Sequence, residues 1–146
     1  MEFHFSVTID RSMNDVFTFL EDMSNHPQER GTKVLLVEKT TSGPIGVGTR
    51  FREVVAMLPL TRVEMASEVT KYKQHSHLEF TWHGGGMEGV LSFSLKAQGG
   101  ATSVTLHEVV TPKGLMKLVG PVIRASFQRN LGNRLQGIKR VLERQS

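Results

Sequence analysis

The sequence predicts an α+β fold: a curved antiparallel sheet of about seven strands, gripping a long C-terminal helix, with two short helices after the first strand. Three observations predict it. In the stretch Pro112 to Ser146, Phe127, Leu131, Leu135, Ile138 and Leu142 recur at helical spacing. Most of the chain before that stretch alternates apolar and polar residues with a period of two. Short glycine-rich turns join the successive alternating runs, which favours antiparallel pairing. A helix stripe of that length needs a partner surface, and the sheet is the only large one the chain offers.

The elements follow in order. Phe3, Phe5, Val7 and Ile9 alternate with His4, Ser6, Thr8 and Asp10, giving a half-buried strand. Ser12 then caps a short helix carrying Met13, Val16, Phe17 and Leu20, with Asp15 three residues on as a weaker capping box. Ser24 to Arg30 reads as a second helical turn containing His26, ended by Gly31. Thr32 to Thr40 is rich in β-branched and aliphatic residues and reads as strand, closed by the turn signals Ser42-Gly43-Pro44 and Gly46. Strands are then expected over Val47–Met57, with Phe51, Val55 and Met57 on one face and Glu53 between them, and over Arg62–Tyr72, with Val63, Met65, Ser67 and Val69 on one face. Leu78, Phe80 and Trp82 alternate with Glu79, Thr81 and His83 up to the triple glycine at 84–86, which reads as a hairpin turn. Met87, Gly89, Leu91, Phe93 and Leu95 make the next apolar face. After Gly99-Gly100, Val104, Leu106, Glu108 and Val110 share the face of the last strand.

The helical region changes phase near Gly120-Pro121. Leu115, Leu118, Val119 and Val122 point away from the Phe127–Leu142 stripe, and proline inside a helix removes a backbone donor. A short segment near Lys113–Val119, then a break, then the main helix is expected, with the short segment covering a cavity mouth.

Composition bounds the rest. The 146 residues suit one domain spanning 1–146, with 38% apolar and 22% charged residues. Without cysteine there is no disulfide, thiolate catalysis or Cys-held metal. The alternating start MEFHFSVTID is unlike a signal peptide, and no run of about 18 apolar residues occurs, so a cytoplasmic chain is expected. From Lys113 onward eight basic residues face one acid, Glu143. They are spread around the helix with few aromatics beside them, as on a solvated outer face, and no nucleic-acid motif accompanies them, so no nucleic-acid partner is expected. A membrane surface is the less favoured partner for this basic tail.

Four stretches carry a family resemblance: the opening strand running into SMNDVFTFLED, GVGTRFREV, LEFTWHGG, and the terminal FQRNLGNRLQGIKRVLE. The chain resembles the START-like, or SRPBCC, superfamily with its helix-grip fold, which includes polyketide cyclases, coenzyme-Q-binding and lipid-transfer proteins. The resemblance covers nearly the whole chain, and its motifs are structural. It departs from the family pattern at Met13, where a proline usually follows the serine. It implies a hydrophobic pocket between sheet and long helix.

Candidate site residues follow from that placement. Phe51, Met65, Trp82, Leu91 and Phe127 are expected to line the pocket, and His26 to reach it from the short helices. Glu108 and Glu53 share faces with apolar neighbours; a carboxyl there would have a raised pKa and could act as acid, base or ligand anchor. His4, His83 and His107 fall on the polar face, and His75 and His77 in a polar hairpin. No HExxH spacing, no GxSxG elbow and no phosphate loop occurs, so neither a metal nor a cofactor is expected. The leading reading is a binder of a small hydrophobic ligand: a lipid, isoprenoid or polyketide-like molecule. Two alternatives stand beside it: a polyketide cyclase or dehydratase working through a pocket carboxylate, and a membrane-associated lipid chaperone.

Overall fold

The computed structural model describes residues 1–28, 34–58 and 61–144. Seven strands form one antiparallel sheet: β1 (Glu2–Ile9), β2 (Val34–Lys39), β3 (Arg50–Leu58), β4 (Thr61–Lys73), β5 (His77–Gly84), β6 (Met87–Gln98) and β7 (Ala101–Pro112). Their spatial order is β1-β7-β6-β5-β4-β3-β2. Every neighbouring pair except β1–β7 is consecutive in sequence, as short turns require. The crossover between the two sheet edges contains helix α1 (Met13–Glu21) and a 3-10 helix (Met23–Gln28).

Local chemistry explains the elements. Ser12 Oγ accepts a hydrogen bond from the Asp15 amide at 3.2 Å and caps α1. The buried face of α1 is Val16, Phe17, Phe19 and Leu20. The Tyr72 hydroxyl donates to Glu21 at 3.0 Å and ties the end of α1 to β4. On the sheet the alternation is regular: Leu78, Phe80 and Trp82 of β5 are buried, as are Val104, Leu106 and Val110 of β7. Full burial of each large apolar side chain stabilises by roughly 1.5–3 kcal/mol, so this concave face and the helices on it are the core.

Strand β3 starts later than the alternation suggests. Val47 to Thr49 form part of a turn, where Gly48 takes φ +94° and donates its amide to the Val69 carbonyl at 2.9 Å. Residues 29–33, part of the expected second helical turn and of the following strand, lie outside the described residues.

The C-terminal region has the expected break. A six-residue 3-10 helix, Gly114–Val119, precedes helix α2 (Gly120–Arg144). Pro121 stands in the first turn of α2, where its missing amide proton costs no helical hydrogen bond. Ile123, Leu131, Leu135, Ile138 and Leu142 of α2 are buried against the sheet and short helices. The 3-10 segment buries none of its residues: Leu115 and Leu118 are 83% and 80% exposed. Met116 instead folds over the β5–β6 turn, where a Cβ on Gly86 would come within 2.6 Å of Met116 Cγ. Among the described residues no helix is long and apolar enough to cross a membrane.

Candidate functional site

A cavity of about 150 Å³ lies between the concave face of the sheet and α2. Its wall combines Met23, Met65, Phe80, Trp82, Met87 and Leu91 with polar groups: Glu53, Ser67, Glu108, Ser126, Asn130 and Arg134. Strand register brings the carboxyls in from opposite halves of the sheet. Glu53 on β3 pairs with Met65 of β4, and Glu108 on β7 pairs with Leu91 of β6 on one side and Phe3 of β1 on the other. Helix α2 places Ser126, Phe127, Asn130, Leu131 and Arg134 on the facing wall, at spacings that put them on one side of a helix.

Glu108 is the most deeply buried acid of the site, at 3% exposure. Trp82 Nε1 donates to its Oε1 at 3.0 Å. Its Oε2 is also buried, with no hydrogen-bond partner among the described residues. Burial pushes the Glu108 carboxyl up to about 8; the Arg134 charge opposes that rise, Glu53 adds to it and the Trp82 bond opposes it. Burial also raises the Glu53 carboxyl, again against the pull of Arg134. Near neutral pH Glu108 therefore holds its proton for most of the time, and Oε2 can donate it as a hydrogen bond into the cavity. Ser67 Oγ is a further buried polar atom with no hydrogen-bond partner among the described residues.

The aromatic wall is continuous. Trp82 stacks on Phe127 with centroids 6.1 Å apart, and Phe127 on Phe3 at 5.9 Å. Gly89 makes room for the indole: a Cβ there would lie 2.5 Å from Trp82 Cζ2 and 2.6 Å from the Val109 carbonyl oxygen.

Of the residues singled out in the sequence, Met65, Trp82, Leu91, Phe127, Glu53 and Glu108 line this cavity. Phe51 does not: it is 1% exposed and packs edge-on against Phe80, so it supports the wall from behind. The side chain of His26 lies outside the described residues, while its backbone belongs to the first 3-10 helix. None of Lys113–Val119, the segment expected as a lid, lines the cavity wall. The sequence reading missed Arg134, Asn130 and Ser67. The two helix residues were legible, because Asn130 and Arg134 follow Phe127 by three and seven positions on the stripe's own flank.

A long C-terminal helix gripped by a seven-stranded sheet, with a cavity between them, defines the helix-grip, START-like class of ligand-binding folds. The chain belongs to the family described as polyketide cyclase / dehydrase and lipid transport, whose model matches residues 1–143. Similar solved structures include TTHA0849 from Thermus thermophilus, 19% identical over 100% of both chains with a TM-score of 0.82. The Zhui aromatase/cyclase from a Streptomyces species is 12% identical over 99% of this chain and 94% of its own, with a TM-score of 0.78. The di-domain aromatase/cyclase StfQ of the steffimycin pathway matches at 14% identity over 97% of this chain and 44% of its own, with a TM-score of 0.70. At these identities the likeness is one of fold. No curated protein matches the sequence.

Proposed function

We propose that the chain binds a small, largely apolar molecule in the cavity and that the molecule presents an oxygen to Glu108. The observation that carries this reading is the buried Glu108, fixed through Oε1 by Trp82 while Oε2 has no protein partner among the described residues. A buried polar atom left unsatisfied costs about 1–3 kcal/mol, and a ligand hydroxyl or carbonyl would remove that cost. Volume sets the size. An engineered apolar cavity of similar size, about 150 Å³, holds benzene, so the enclosed space suits about one ring. A lipid or isoprenoid tail, or further polyketide rings, would extend beyond it or displace Met23, Met65 and Met87, whose unbranched side chains repack readily. The test is calorimetric titration with a panel of monocyclic phenols and aryl ketones, with fatty acids in parallel. Leu91→Trp, which fills the cavity, is expected to abolish binding while circular dichroism stays unchanged. Unaltered affinity in that variant places the site elsewhere.

A second reading, an acid–base enzyme of the cyclase or dehydratase type, is favoured by the convergence of Glu53, Glu108, Asn130 and Arg134 on one cavity. Glu108 would give its proton to a departing hydroxyl, a carboxylate such as Glu53 would take the proton from the adjacent carbon, and water would leave. Dehydration of a β-hydroxy ketone, followed by enone absorbance, tests it. Activity lost in Glu108→Gln with ligand affinity retained supports catalysis; no turnover by the folded wild type leaves binding alone.

A further inference from the structure

We propose that Glu2, His4 and His107 form a binding site for a divalent ion of the zinc class on the outer face of the sheet, away from the cavity. Glu2 and His4 stand two residues apart on β1, so their side chains leave the same face of the strand. The β1–β7 register sets His4 directly opposite His107. The neighbouring residues Phe3 and Glu108 point the other way, Phe3 into the core and Glu108 into the cavity.

The three side chains converge. His107 Nε2 lies 2.7 Å and His4 Nε2 3.6 Å from the same oxygen, Glu2 Oε1. One donor atom from each residue lies within 4.8 Å of the other two, a grouping that occurs here alone among the described residues. A tetrahedral zinc site with bonds near 2.0–2.1 Å has ligand–ligand edges of about 3.3 Å. The two imidazole–carboxylate distances bracket that edge. The imidazole rings now stack at 4.3 Å between centroids, so one ring must turn to aim both lone pairs at a common ion. The side chains are free to do so, because those of His4, Glu2 and His107 are 65%, 61% and 36% exposed.

The donor set selects the ion. Two imidazole nitrogens and one carboxylate oxygen suit zinc, copper(II) or nickel(II), whereas calcium and magnesium prefer sets made only of oxygen. An ion would replace the proton that now joins His107 to Glu2, and its fourth position would stay open to water.

Calorimetric titration of the metal-free full chain with zinc chloride near neutral pH tests the assignment, with nitrogen NMR of the imidazoles alongside. One ion per chain is expected, with the His4 and His107 imidazole resonances shifted and those of His77 unmoved. His4→Ala and His107→Ala should each weaken binding at least about tenfold, and His77→Ala should leave it unchanged. The NMR arm uses the wild type, so a variant that fails to fold does not decide the matter. No binding at millimolar zinc, shifts centred on other histidines, or calcium bound as tightly as zinc would overturn the proposal.

Discussion

Trp82 and Glu108 are 26 residues apart in the sequence and joined in the structure by a 3.0 Å hydrogen bond from the indole to the buried carboxyl. The bond favours the charged form of Glu108, against the larger effect of burial. Trp82→Phe keeps the aromatic wall and removes the donor. The Glu108 carboxyl should then titrate higher than in the wild type, as read by carbon NMR of labelled glutamate. An unchanged or lowered titration point would show that the bond does not act on the acid.

The same acid makes stability depend on pH. Folding raises the Glu108 carboxyl from its ordinary 4.5 to about 8, so the folded state binds this proton more tightly than the unfolded chain does. The resulting stabilisation is complete below 4.5 and is lost as pH rises through about 8. It amounts to roughly 4–5 kcal/mol over that window. Glu108→Gln should flatten this part of the profile and be relatively more stable at the alkaline end. Urea unfolding at several pH values measures it, and parallel profiles for the two proteins would contradict the assignment.

Arg134 offsets negative charge on both carboxyls. Arg134→Met should therefore cost stability chiefly where those carboxyls are ionised. A loss of about 1–3 kcal/mol is expected at alkaline pH, shrinking in acid as the carboxyls take up protons. Equal destabilisation at both ends of the pH range would mean that the arginine acts through packing.

Gly89 has no room for a side chain beside the indole. Gly89→Ala should push Trp82 off its bond to Glu108 and destabilise the fold by about 1–3 kcal/mol. If the loss comes from Trp82, it should be smaller when the same change is made in a Trp82→Phe background. Additive effects of the two substitutions would break that link.

The exposed segment Leu115–Val119 gives a negative expectation. Leu115→Ser with Leu118→Ser removes apolar surface that does not line the cavity. Ligand affinity and association rate should stay within about twofold of wild type, since surface changes away from a site usually cost under about 0.5 kcal/mol. A large change in either would restore the segment as a lid.

Much of the fold was legible because both periods are strong. The alternation in Leu78–Phe80–Trp82 and the stripe through Leu131, Leu135 and Ile138 are each apolar on one side only, and each face is buried as expected. Glu108 and Glu53 stood out for the same reason, as acids in apolar register. Phe51 was misassigned because alternation gives the face of a strand but not the distance along it to the open end of the sheet. The segment Lys113–Val119 does not line the cavity, and a phase change says which way a segment does not point, not what it covers. The Glu2–His4–His107 group was invisible, since Glu2 and His107 are separated by 105 positions and only the β1–β7 register joins them.

Trp82 is the chain's single tryptophan, and it stands in the cavity wall against Glu108 and Phe127. The protein thus carries its own optical reporter. Emission excited at the red edge of protein absorbance comes from this one indole, without label or background from a second. Proton release from Glu108 changes the charge 3.0 Å from the indole nitrogen, and a seated ligand would change what its ring faces. A pH series and a ligand series of emission spectra on the unmodified chain would therefore read the acid and the cavity separately.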